Sequence, residues 1–123
     1  MKKVLAVLLF FVLLASVAYA ASITLSWTAP ADDPGLPTEG PATAYKLVWL
    51  GLPITEANFN TGVVVPTGTP KAPGQEETIT ISLEGTSHYY FAIKAVDASG
   101  NWSEISNVAQ RDFMSPQPVA DLR

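Results

Sequence analysis

Residues 88–107, HYYFAIKAVDASGNWSEISN, decide how this chain folds. Tyr89, Phe91, Ile93 and Ala95 alternate with Tyr90, Ala92, Lys94 and Val96, the two-residue period of a strand with one buried face. The face carrying Lys94 is expected to be the wet one. Asp97 to Asn101 has the Asp, Ser, Gly and Asn of a hairpin connection, with Gly100 and Asn101 suited to positive φ. Ile105 to Ala109 is predicted to return as the partner strand.

The same period recurs on the N-terminal side of this stretch. Ile23, Leu25 and Trp27 alternate with serine and threonine over Ser22 to Trp27, and Pro30 ends that strand. Ala31 to Ala42, ADDPGLPTEGPA, is too rich in proline and glycine to be anything but a loop. Tyr45, Leu47 and Trp49 share one face of a strand predicted over Ala44 to Leu50, ended by Gly51 and Pro53. A helical turn is expected around Ile54 to Phe59. A short edge strand is expected at Val63 to Val65, stopped by Pro66 and the loop PTGTPKAPG. Ile79, Ile81 and Leu83 alternate over Thr78 to Leu83. No part of the chain beyond residue 20 keeps a 3.6-residue apolar period, so that part is all-β. Several short strands between turn signals in about 90 residues indicate a two-sheet antiparallel immunoglobulin-like sandwich. Its core is predicted from the inward sets Ile23, Leu25, Trp27; Tyr45, Leu47, Trp49; Ile79, Ile81, Leu83; and Tyr89, Phe91, Ile93, Ala95.

Composition bounds the rest. The 123 residues contain 10 prolines, 8 glycines and no cysteine, which suits one small turn-rich domain. Lys2 and Lys3 precede an apolar run from Val4 to Val17 that closes on Ala18-Tyr19-Ala20, the pattern of a Sec signal peptide cut after Ala20. Residues 1–20 are therefore expected to be a signal peptide, 21–110 the domain and 111–123 a tail, in a secreted or periplasmic protein held by no membrane once cleaved. Cleavage leaves five basic residues against eleven acidic ones, a net charge of −6. That surface repels nucleic acid and anionic lipid. Without disulfides, stability has to come from the hydrophobic core.

With these residues in hand, Ser22 to Gln110 resembles the fibronectin type III family. SITLSWTAP resembles the family's second strand with its core tryptophan, here Trp27, and ATAYKLVW its third strand with Tyr45 and Leu47. LEGTSHYYFAIKAVDASGNWS resembles the tyrosine-corner turn and sixth strand, with Leu83 and Tyr89 six positions apart. The long loop ADDPGLPTEGPATAY and the ending VDASGNWSEISN resemble the bacterial versions. Gly85 stands where the family usually has proline in the corner turn. The family's opening strand A is not in its usual place ahead of Ser22, whereas SPQPVADLR, Ser115 to Arg123, resembles it. Three arrangements account for this. The chain is a piece of a longer tandem array whose next domain starts at Pro116, or Val119 to Leu122 fills the strand A slot of its own domain, or it fills that of a neighbour. Filling its own slot is barely within reach: Gln110 to Pro118 spans at most ~30 Å at ~3.3 Å per residue, about the length to be crossed.

Chemistry is poorly supplied. His88 is the only imidazole, and Ser87 beside it points to the opposite face of an extended segment, so no nucleophile–base pair forms and His88 is expected to be a solvated turn residue. One histidine and no cysteine exclude a zinc site in practice. Asp32-Asp33 and Glu76-Glu77 lack calcium-loop spacing and are expected to be solvated loop charge. No catalytic residue, cofactor or metal ligand is therefore predicted. The candidate interaction residues are Tyr90 and Trp102, aromatics for a protein or carbohydrate partner near the hairpin, and Val119 and Leu122, the apolar positions of the tail. The expected function is a non-catalytic spacer or protein-interaction module. The alternatives are a subunit that assembles through its tail by strand addition, and a carbohydrate-binding accessory domain.

Overall fold

The computed structural model describes residues 20–34 and 40–123. The predicted signal peptide thus lies outside the described residues except for Ala20, as does the middle of the first loop. Six strands follow in chain order: β1 Ala20–Thr28, β2 Ala44–Leu50, β3 Val63–Val65, β4 Glu76–Glu84, β5 His88–Val96 and β6 Ala109–Asp112. Every ladder is antiparallel. β1 and β4 form one sheet, and the second has the order β3-β2-β5-β6. The chain is an all-β, immunoglobulin-like two-sheet sandwich. No helix among the described residues is long and apolar enough to cross a membrane.

The period-two pattern does what it predicts on the inner faces. Ile23 and Leu25 of β1 and Ile81 of β4 meet Leu47 of β2 and Tyr89 and Phe91 of β5 in one cluster. Trp49, Ile79, Leu83 and Ile93 pack around it partly buried. Trp27 and Tyr45 close one margin, half-buried, with their rings edge to face at 5.4 Å. At the β4–β5 turn the Tyr89 hydroxyl donates to the Glu84 carbonyl at 2.9 Å, bracing the corner that Gly85 leaves without a proline.

Four expectations are corrected. The face of β5 with Lys94 is not wet. Ala92 (2% exposed) and Val48 (0%) on the outer side of β2 and β5 form a second small core with Ile54 and Phe59. The connection between β2 and β3 folds back over that face and plugs Phe59 into it. Gly62 makes this close approach possible, since a Cβ there would lie 2.8 Å from the Val48 Cβ. The ammonium groups of Lys94 and Lys46 stand 4.9 and 5.6 Å from the Phe59 ring centre, so the lysine stems cover the plug while their charges reach its rim. Glu56 ties the connection down, accepting from Lys94 Nζ at 2.7 Å and from the Ile105 N–H at 2.6 Å. Those two bonds, Lys94 first, hold its carboxyl below the usual range.

Two further corrections concern boundaries and one a turn residue. The helical turn expected at Ile54 to Phe59 is a 3-10 turn over Phe59–Thr61. The last strand begins at Ala109 and not at Ile105, because serine side chains replace its ladder over the preceding residues, as described below. In the hairpin Gly100 takes φ 87°, as expected, but Asn101 does not reach positive φ.

Candidate functional site

The polar residues of DASGNWSEIS are spent on the backbone. The Asp97 carboxylate accepts from the N–H groups of Ser99 (2.9 Å) and Asn101 (2.8 Å) and from Asn101 Nδ2 (3.1 Å), which closes the turn. The Asn101 bonds, chiefly, hold its carboxyl below the usual carboxylate range. Ser103 and Ser106 then repeat one device. The Ser103 N–H donates to the Ala95 carbonyl at 2.8 Å, and its hydroxyl accepts from the Ala95 N–H at 3.0 Å and donates to the Glu104 carbonyl. Ser106 does the same with Ile93 at 3.0 Å each way, its hydroxyl donating to the Asn107 carbonyl. Two hydroxyls stand in for the carbonyls of a regular strand, so a bent segment still satisfies β5.

His88 is not a solvated turn residue. It opens β5 with its ring half-buried and stacked on Tyr90 (centroids 4.6 Å apart), and its Nε2 is 2.9 Å from Gln110 Oε1. Asp112 Oδ1 lies 3.9 Å from Nδ1. Ser87 is engaged through its carbonyl, which accepts from the Phe113 N–H at 3.0 Å. Glu77 is likewise not loop charge. It lies on β4 at 7% exposure and its carboxylate accepts from the Tyr45 hydroxyl and, at 3.2 Å, from the Lys71 N–H. Burial first, and the bond to Glu77 second, push the Tyr45 hydroxyl up to about 12. Sequence reasoning missed this pair because β4 extends to Glu76 and so carries one carboxylate of the Glu76-Glu77 doublet inward.

The structure separates the candidate interaction residues. Trp102 is 52% exposed and bridges to Val96 at the far end of β5. Tyr90 sits near the start of that strand, half-buried against the second core and His88, so the two aromatics form no joint platform. Val119 and Leu122 are 75% and 90% exposed, and the tail lies in no strand. The slot beside β1 is correspondingly unfilled by the chain's own described residues. Two adjoining hollows run along that edge, sharing Ser26, Trp27, Ile93, Ser106 and Asn107. One reaches Leu25 and Phe91 of the inner core, and the other, of about 360 Å³, reaches Pro30. Trp27 lines both, and its Nε1 is buried with no hydrogen-bond partner among the described residues.

No family model matches the chain, and no solved structure matches it. It is 32% identical over 112 residues to calcium-activated chloride channel regulator 2 of Homo sapiens, which covers 76% of this chain and 12% of that protein. Against calcium-activated chloride channel regulator 1 it is 34% identical over 103 residues in Mus musculus and 29% over 104 residues in Bos taurus. Those matches cover 76% and 78% of this chain and 11% of each relative. The chain thus spans little more than a tenth of the length of the curated relatives it matches.

Proposed function

We propose that the chain is an exported, non-catalytic sandwich module of the fibronectin type III kind that works as a spacer or a protein-interaction domain. The observation that carries this is the fate of the polar groups in residues 88–107. The carboxylate and hydroxyls of Asp97, Ser103 and Ser106 bond the backbone, and His88 is stacked and hydrogen-bonded within the sheet. Within residues 88–107 that leaves no free nucleophile beside a base. Matching a small fraction of three much longer proteins supports the idea of a module. The basic and apolar leader closing on Ala18-Tyr19-Ala20 supports export to the periplasm or beyond, and the bacterial character rests on the long first loop and the ending VDASGNWSEISN.

The test is expression with the leader in a bacterium. The expected product is a periplasmic protein whose intact mass starts at Ala21, which unfolds in one cooperative urea transition and turns over no ester, glycoside or peptide substrate. Retention of the leader would sink the export, and hydrolysis lost in His88→Ala would sink the non-catalytic role.

A further inference from the structure

We infer that the open edge of β1 is a docking site for the C-terminal segment Pro118–Arg123 of a second copy of this chain, added antiparallel as a third strand of the small sheet. The inference rests on the interaction-module function proposed above and names its partner.

β1 is nine residues long and pairs with β4 alone among the described residues, so every second N–H and C=O along it lacks a strand partner. Its exposed residues on the outer face, Ser22, Thr24 and Ser26, carry no charge that would discourage pairing. The hollows beside it open onto Leu25, Phe91 and Trp27.

Topology then selects the donor. Ala20 of β1 pairs with Glu84 at the end of β4, and His88 at the start of β5 pairs with Asp112 at the end of β6. The tail therefore leaves at the pole where β1 begins. An antiparallel partner of β1 has to enter at the other pole, by Thr28 and Pro30. Phe113 is anchored by its bond to Ser87 and its packing on the inner core, so Met114 to Pro118 is the free linker. Those residues reach ~17 Å at most, at ~3.4 Å each, while β1 is ~27 Å long. The tail cannot cross its own domain, but the pole it leaves faces the entry pole of the next copy. The contact is head-to-tail and does not close, so repetition gives a linear chain of domains.

The side chains agree with one parity. With Ala120 and Leu122 inward, Leu122 enters the hollow toward Leu25 and Phe91, and Val119, Asp121 and Arg123 face outward. The opposite parity would bury Asp121 without a partner, a heavy desolvation cost. Leu122 is 90% exposed in the single chain, so burying it on a neighbour removes the most exposed large apolar side chain described.

The chain has no cysteine, so introduced thiols report the contact directly. Full-length chains carrying Ser26→Cys, which lies opposite Asp121 when Leu122 faces Leu25, and Asp121→Cys are exported with their leader, purified separately, mixed and oxidised. A donor strand lies ~4.8 Å from β1 and ~9.6 Å from β4, and a disulfide needs Cα atoms within ~7 Å. The mixed disulfide is therefore expected to exceed, several-fold, the product of Asp121→Cys with Thr78→Cys, the β4 partner of Ser26. The double variant Ser26→Cys/Asp121→Cys should give a ladder of multimers, and adding Leu122→Asp should reduce the mixed product to the β4 control. A mixed product no greater than that control overturns the inference, as does a double variant that closes on itself as a monomer. A folded, inactive protein that fails this test still leaves the module function standing, whereas hydrolysis or a retained leader strikes that function and not the contact.

Discussion

Tyr45 and Glu77 are the residues whose chemistry departs furthest from what their types suggest. A carboxylate at 7% exposure needs hydrogen-bond donors, and the Tyr45 hydroxyl and Lys71 N–H supply them. Tyr45→Phe removes one donor and is expected to cost ~1–3 kcal/mol in urea unfolding at pH 7. The fold favours the neutral phenol, whose folded pKa of about 12 lies above the ordinary value of 10.0. Its stabilising effect is therefore complete below about pH 10 and is lost as the pH rises toward 12. Wild type should lose stability over that window more steeply than Tyr45→Phe, as read from unfolding midpoints at stepped pH. Equal slopes would show that the bond does not hold the proton. At this scale the sequence was legible for type and not for partner: Glu77 looked solvated because its neighbour in space, Tyr45, lies 32 positions away.

Among the elements, the segment after the hairpin shows how a strand can be replaced without loss of hydrogen bonds. Ser106 accepts from the Ile93 N–H in a half-buried setting, and Ser103 accepts from the Ala95 N–H in an exposed one. Ser106→Ala is expected to cost ~1–3 kcal/mol because it leaves a donor unsatisfied away from water, and Ser103→Ala ~0.5–1.5 kcal/mol because water can take its place. Chemical denaturation of the two variants checks the order, and a larger loss at Ser103 would contradict it. The sequence shows both serines at a spacing of three, but a pattern search for alternation passes over them. The same holds for the connection that seals the second core: Val48, Tyr90 and Ala92 read as an outer face because nothing local says that Phe59 returns to cover them.

For the whole molecule, the two sheets are unequal. β2 and β5 are central strands of a four-stranded sheet with cores on both faces, whereas β1 has, among the described residues, one partner strand and an open edge. Amide hydrogen exchange is expected to be slowest in β5, with alternate β1 amides exchanging freely in dilute solution. Uniform protection along β1 at low concentration would show that the edge is covered within one chain. Protection of the remaining β1 amides that grows with protein concentration is the signature of tail donation.

The all-β class, the positions of β2 and β3 and the inner core were settled by local information: the two-residue period and the proline and glycine stops. Alternation states which residues share a face of a strand, because it follows from backbone geometry alone. It does not say what lies opposite that face. The second core, the buried Tyr45–Glu77 pair and the late start of β6 all depend on contacts between segments far apart in the chain, and those were decided only when the sheets stacked and the connections crossed them.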